Sequence, residues 1–285
     1  MKTNTLITQS LLAIAGATLL PLPVQAALPY ANGDLIMGFR TTGPSNPDGL
    51  TNPAGTDYEI NLGNATTFLS ASGTLNFANI GADLIAIFGP NWNTRADLFW
   101  SISGVVQPTV SGLPNNTMFV TRPETTVGVQ SVPWGNFSSF GAGAVANKIA
   151  SMDGATSGYA VGTSGTFNQL ESVNTIGGLI QNTGGPSSYA SFMPGGANSS
   201  GTTAFNSFSG GIEGNFGAGT AGSVLDLYEL IPGVAGSPGA FVGTFQINDA
   251  GSASFNAVVP EPSSLAIAAA GAGLLGLLRR RQQRA

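Results

Sequence analysis

Apolar and polar positions along this chain fall into short runs separated by Gly, Pro, Asn and Ser. Residues 34–40 form a largely apolar run behind an Asn32-Gly33 turn and predict a strand. Residues 58–62 alternate apolar with polar at period two, as a half-buried strand does. Residues 98–106, 118–122 and 223–230 predict further strands. The best-signposted element is a hairpin, in which residues 241–247 and 252–258 flank Asn248-Asp249-Ala250-Gly251. Residues 82–88 predict a short helix stopped at Gly89-Pro90. A second helix is predicted over residues 140–152 from Ala144, Ala146, Lys148 and Ile149, stopped at Asp153-Gly154. Residues 41–56 read as a loop, and residues 155–200, rich in Ser, Gly and Asn, predict no element. No repeat of fixed period occurs. Many short strands with turn signals and one or two helices predict a mainly β, antiparallel sandwich-like body.

The two ends follow a different pattern. Lys2 precedes a mostly apolar run at residues 6–20, then Pro21, Pro23 and Val24-Gln25-Ala26. Small residues at 24 and 26 fit the A-x-A-like pattern of a secretory signal, so residues 1–26 are expected to be removed between Ala26 and Ala27. Near the other end, Pro260-Glu261-Pro262 is followed by an uncharged run at residues 263–278 and by Arg279-Arg280-Arg281. As a helix that run rises roughly 24 Å, against a hydrocarbon core of about 30 Å. Flanking arginines that snorkel would let it span. The positive-inside tendency places those arginines in the cytoplasm and the body, residues 27–258, outside the inner membrane. Each proline fixes its own φ and biases the residue before it away from helix, so residues 260–262 stay extended. Gly271-Ala272-Gly273-Leu274-Leu275-Gly276 fits G-x-G-x-x-G, but no strand precedes it and no βαβ unit follows. Close packing of a membrane helix explains these glycines better.

Composition narrows the chemistry. Between the ends lie four basic and thirteen acidic side chains, a net charge of −9, which disfavours nucleic acid as a partner. The 41 glycines and 17 prolines make about a fifth of the chain, short of the share that signals disorder. Sixteen Phe and three Trp suffice for a core. There is no cysteine, so the exported body must hold together without disulfides. There is no histidine, which removes Ser-His-Asp catalysis and His-based metal sites.

Carboxylate chemistry is what remains. Asp57 and Glu59, two apart, share one strand face, and Asp226 and Glu229 are three apart. Trp92, Trp100 and Trp134 are candidate sugar platforms beside such a pair. The expected alternative is that these carboxylates are solvated and the tryptophans buried. Calcium is the cofactor with any support, through Asn46-Pro47-Asp48-Gly49 with Asp57, or Asn248-Asp249, although such residues also build turns without an ion. Asn64-Ala65-Thr66, Asn115-Asn116-Thr117, Asn136-Phe137-Ser138 and Asn198-Ser199-Ser200 fit the glycosylation acceptor pattern.

The tail, residues 259–285, resembles the PEP-CTERM sorting signal of bacterial surface proteins. Pro260, Glu261 and Pro262 match its motif position by position, and the apolar run and arginine cluster follow in order. Residues 34–40, 58–63, 91–104 and 223–255 look more loosely similar to segments in the bodies of such proteins. The resemblance implies a Gram-negative host and export through the secretion translocon with signal peptidase. It implies recognition by an exosortase, a membrane processing enzyme that removes the tail, much as a GPI signal is discarded. It also suggests contact with exopolysaccharide, and it implies no reaction. The expectation is an exported, transiently anchored, non-enzymatic surface or matrix protein. A carbohydrate-binding module and a carboxylate-based glycan hydrolase are the rivals.

Overall fold

The structure is a computed structural model, and it describes residues 31–42, 56–108, 112–155, 167–168, 178–182, 189–193, 205, 208, 211–233 and 235–258. The ends that carry Ala26, Ala27, Pro260, Glu261, Pro262, Arg279, Arg280 and Arg281 lie outside these residues, as does Asn46-Pro47-Asp48-Gly49.

The strands are β1 (Asp34–Thr41), β2 (Thr56–Asn64), β3 (Thr74–Asn79), β4 (Leu98–Val106), β5 (Thr117–Pro123), β6 (Phe167–Asn168), β7 (Gly178–Asn182), β8 (Gly214–Asn215), β9 (Val224–Leu230), β10 (Ala240–Ile247) and β11 (Ser252–Ala257). Helices are α1 (Ala65–Leu69), α2 (Gly81–Phe88), α3 (Ser139–Ala155) and α4 (Tyr189–Phe192), with 3-10 turns at Trp92–Thr94 and Phe216–Ser223. All the strands join one sheet in the order β3-β11-β10-β9-β5-β4-β1-β2-β7-β6, with β8 paired to β4. Every pairing is antiparallel.

The mainly β, antiparallel expectation is met, but the sandwich is not. The two halves are joined edge to edge through β5 and β9 rather than stacked, so a single sheet curls on itself. The curl is visible in α1, which touches both β2 and β10 although four strands separate them in the sheet. Helices fill the space that a second sheet would have filled. Phe68 of α1 packs edge-on against Phe255 and tilted against Phe245, with ring centroids 5.2 and 5.5 Å away. Leu84, Ile87 and Phe88 of α2 join the same inner core with Leu35, Met37 and Phe39 of β1. Each such large apolar side chain contributes about 1.5–3 kcal/mol on burial.

A second apolar cluster lies on the outer face. Val105, Met118, Val120, Tyr228 and Leu230 project there from the strands and are covered by Val145, Ala146 and Ile149 of α3, by Trp134, and by Tyr189 and Phe192 of α4. The predicted helix stop at Asp153-Gly154 fails, because α3 continues to Ala155. Helix α2 does end where predicted, with Gly89 at φ 92° as its cap. The 248–251 hairpin turn forms as read, with Asn248 Oδ1 accepting the Ala250 and Ser252 N–H groups and Gly251 at φ 79°. Among the described residues no helix is long and apolar enough to cross a membrane.

Candidate functional site

Strand alternation places Asp57, Glu59 and Asn61 on the outer face of β2, as the spacing predicts. The face is not solvated there. Asp57 and Glu59 are fully buried. Asp57 Oδ2 accepts the Ala190 N–H at 2.8 Å, and Glu59 Oε1 accepts the Tyr189 N–H at 3.1 Å. These are backbone donors of the first turn of α4, which have no partner within the helix. The two carboxylates therefore tie α4 down and are not offered to a substrate. Tyr189 lies across Gly38, where an added Cβ would stand 2.2 Å from the ring. The Tyr189 hydroxyl is 2.6 Å from Ser101 Oγ and donates to Glu213 Oε1 at 3.2 Å. Burial and the facing Glu213 carboxylate push the Tyr189 phenol well above its usual range.

Glu213 is held by Arg40 through two parallel hydrogen bonds of 2.7 and 2.6 Å. Both side chains are nearly enclosed, at 11% and 5% exposure. Burial alone would lower the Arg40 pKa, but the bidentate Glu213 contact outweighs it and the net shift is upward. This cluster is a closed structural network.

The tryptophans are core residues, at 2%, 0% and 6% exposure for Trp92, Trp100 and Trp134. Trp100 Nε1 donates to the Gly222 carbonyl and Trp134 Nε1 to the Thr121 carbonyl. None of the three is a sugar platform. Asp226 and Glu229 also part company, since Asp226 lies on the outer face of β9 and Glu229 on the inner.

Asp226 meets a different acid. Because β5 lies beside β9, with Pro123 opposite Leu225, Glu124 reaches the Asp226 carboxyl. The Glu124 pKa is raised, first by burial and also by hydrogen bonding and charge at Asp226, while the Gly128 N–H at 2.6 Å pulls it down. Asp226 in turn accepts the Ser131 N–H at 2.5 Å and the Thr244 hydroxyl at 2.9 Å. This pair lines an open cleft of about 330 Å³ together with Gln130, Phe241, Gln246 and Asn256. Gln246 and Asn256 are exposed, and Phe241 is half-buried. Among the described residues no three acidic side chains gather to hold a metal. Sequence reading missed Glu124, since 102 positions separate it from Asp226 and only strand pairing joins them. Of the acceptor patterns, Asn64 caps α1 through Thr66 and Asn136 holds the Ile231 N–H, so both amides already serve the fold.

The last described strand, β11, ends at Ala257, and the tail begins at once. Neither a curated protein nor a solved structure matches the chain. A family model does match its tail, by the description PEP-CTERM protein-sorting motif, over residues 258–282. That match confirms the resemblance drawn from Pro260-Glu261-Pro262 and the arginines. The chain is therefore a bearer of the PEP-CTERM sorting motif, an exported protein addressed to the cell envelope or surface and recognised by an exosortase.

Proposed function

We propose that the protein is a non-enzymatic surface or matrix protein, anchored for a time through residues 263–278 and then freed by removal of its tail. The observation that carries this reading is the junction between fold and motif. The motif starts at residue 258, one position after β11 ends, so cleavage near Pro260 takes no strand from the sheet. In this reading residues 1–26 direct export and are cut at Ala26–Ala27. The burial of Asp57, Glu59 and the tryptophans supports the non-enzymatic reading. Intact-mass analysis of the protein from membrane and released fractions of its native cells tests it. A released form ending near Pro260 is expected. A released form that retains Ala285 overturns it.

A second reading, binding of exopolysaccharide, is favoured by the cleft alone. The amides of Gln130, Gln246 and Asn256, beside the Glu124 and Asp226 carboxyls, suit sugar hydroxyls, and the flank of Phe241 suits an apolar sugar face. Binding of neutral glycans that is lost in Gln246→Ala and Asn256→Ala supports it, and an array without hits counts against it.

A further inference from the structure

We infer that the body stands upright on the membrane, with one particular end of its sheet against the phospholipid headgroups. This rests on the anchored stage of the reading above. The antiparallel order fixes the geometry. Strands β1, β5 and β10 run one way, and β4, β9 and β11 run the other. The chain therefore enters β1 and leaves β11 at the same end of the sheet. Ala257 donates to the Gly73 carbonyl there, while Gly33 donates to the Val105 carbonyl at the start of β1.

That end is made of the turn before β1, of α1 and residues 70–73, and of the β4–β5 and β9–β10 connections. Its exposed side chains include Leu69, Ser70, Ser72, Ile231 and Val258. Among the described side chains, the charged groups at this end are Asp34, 5% exposed, and the half-buried Glu229. At the opposite end Asp83, Asp97 and Arg122 are partly exposed and Asp249 is exposed, while Arg40, Asp57, Arg95, Glu124 and Glu213 are enclosed. Exposed apolar residues occur at both ends, so they do not decide the orientation. Charge does. Ionised groups lose hydration near a bilayer, and an acidic surface is repelled by anionic lipid. Residues 258–262 allow roughly 18 Å at most between Ala257 and the apolar run, too little for the body to swing over freely.

The natural absence of cysteine makes the test direct. The full chain is placed in vesicles of phosphatidylethanolamine and phosphatidylglycerol. Single variants Ser72→Cys, Ile231→Cys, Asn91→Cys and Asp249→Cys, all at exposed positions, each carry one fluorophore. A lipid with a quencher on its headgroup reads proximity. The eight or nine residues of β1, β2 and β4 separate the ends by roughly 25–30 Å. Quenching several-fold stronger at 72 and 231 than at 91 and 249 is expected. Equal or reversed quenching on vesicle-bound protein overturns the orientation and leaves the anchor standing. Protein that fails to float with the vesicles overturns both.

Discussion

The outer face of the sheet has a covered half and an open half. Over β1, β2 and β4 the polar residues Arg40, Asp57, Glu59 and Ser101 are buried beneath α4 and its surroundings. Over β10, β11 and β3, Gln246, Asn256, Thr74 and Asn76 face water. Both halves are built by the same alternation of polar and apolar positions. In the open half a polar side chain exchanges one water contact for another and adds little. In the covered half it has lost its water, so its protein partner becomes obligatory.

The sharpest way to break this contrast is Arg40→Met. It leaves Glu213 enclosed without its bidentate partner, and a loss of about 3–5 kcal/mol is expected from urea unfolding at neutral pH. A loss below about 1 kcal/mol would show that the cluster is wet after all. Glu59→Ala should cost less, about 1–3 kcal/mol, because it removes one acceptor from the first turn of α4. Hydrogen exchange should then quicken at Tyr189 and remain unchanged in β10.

Glu124 sits at the border of the two halves, and its effect follows pH. Its folded pKa lies above the ordinary 4.5, first through burial. A raised carboxyl stabilises the fold fully below the unfolded value and loses that contribution as pH climbs through the folded one. Glu124→Gln cannot ionise, so it should raise the melting temperature at about pH 8 and change it little at about pH 4. A variant that is destabilised equally at both pH values would assign Glu124 a role of shape alone. Least of all, Asn256→Ala should stay within about 0.5 kcal/mol, although it removes the Thr74 contact at 2.7 Å. A larger loss would show that the open half is also held by its polar surface.

Periodicity made much of the sheet legible. Strand β4 spans the predicted residues, and the hairpin of β10 and β11 forms around the predicted turn. Strand β3 carried a readable signal, Leu75 and Phe77 alternating with Thr74 and Asn76, and went unread. Strand β7 and helix α4 had no local signal to offer. The first amides of α4 find their acceptors on β2, 130 and 133 positions earlier, so that helix is specified by tertiary contact. The same is true of the cleft, whose acids meet only when β5 is laid beside β9. Curling rather than stacking was also hidden, because period-two patterning fixes which side chains share a face and not which sheet edge they join. The sorting motif is the opposite case. It is read as linear sequence, so it was legible in full.

The position of β11 also has a mechanical meaning. It is an inner strand, bonded to β10 on one side and β3 on the other, and the tail continues from its end. A pull on the tail runs along β11, at right angles to its ladder hydrogen bonds. Such a load shears both ladders together and does not open them one bond at a time. The fold thus presents its grip where an attached or partly withdrawn tail would tug hardest.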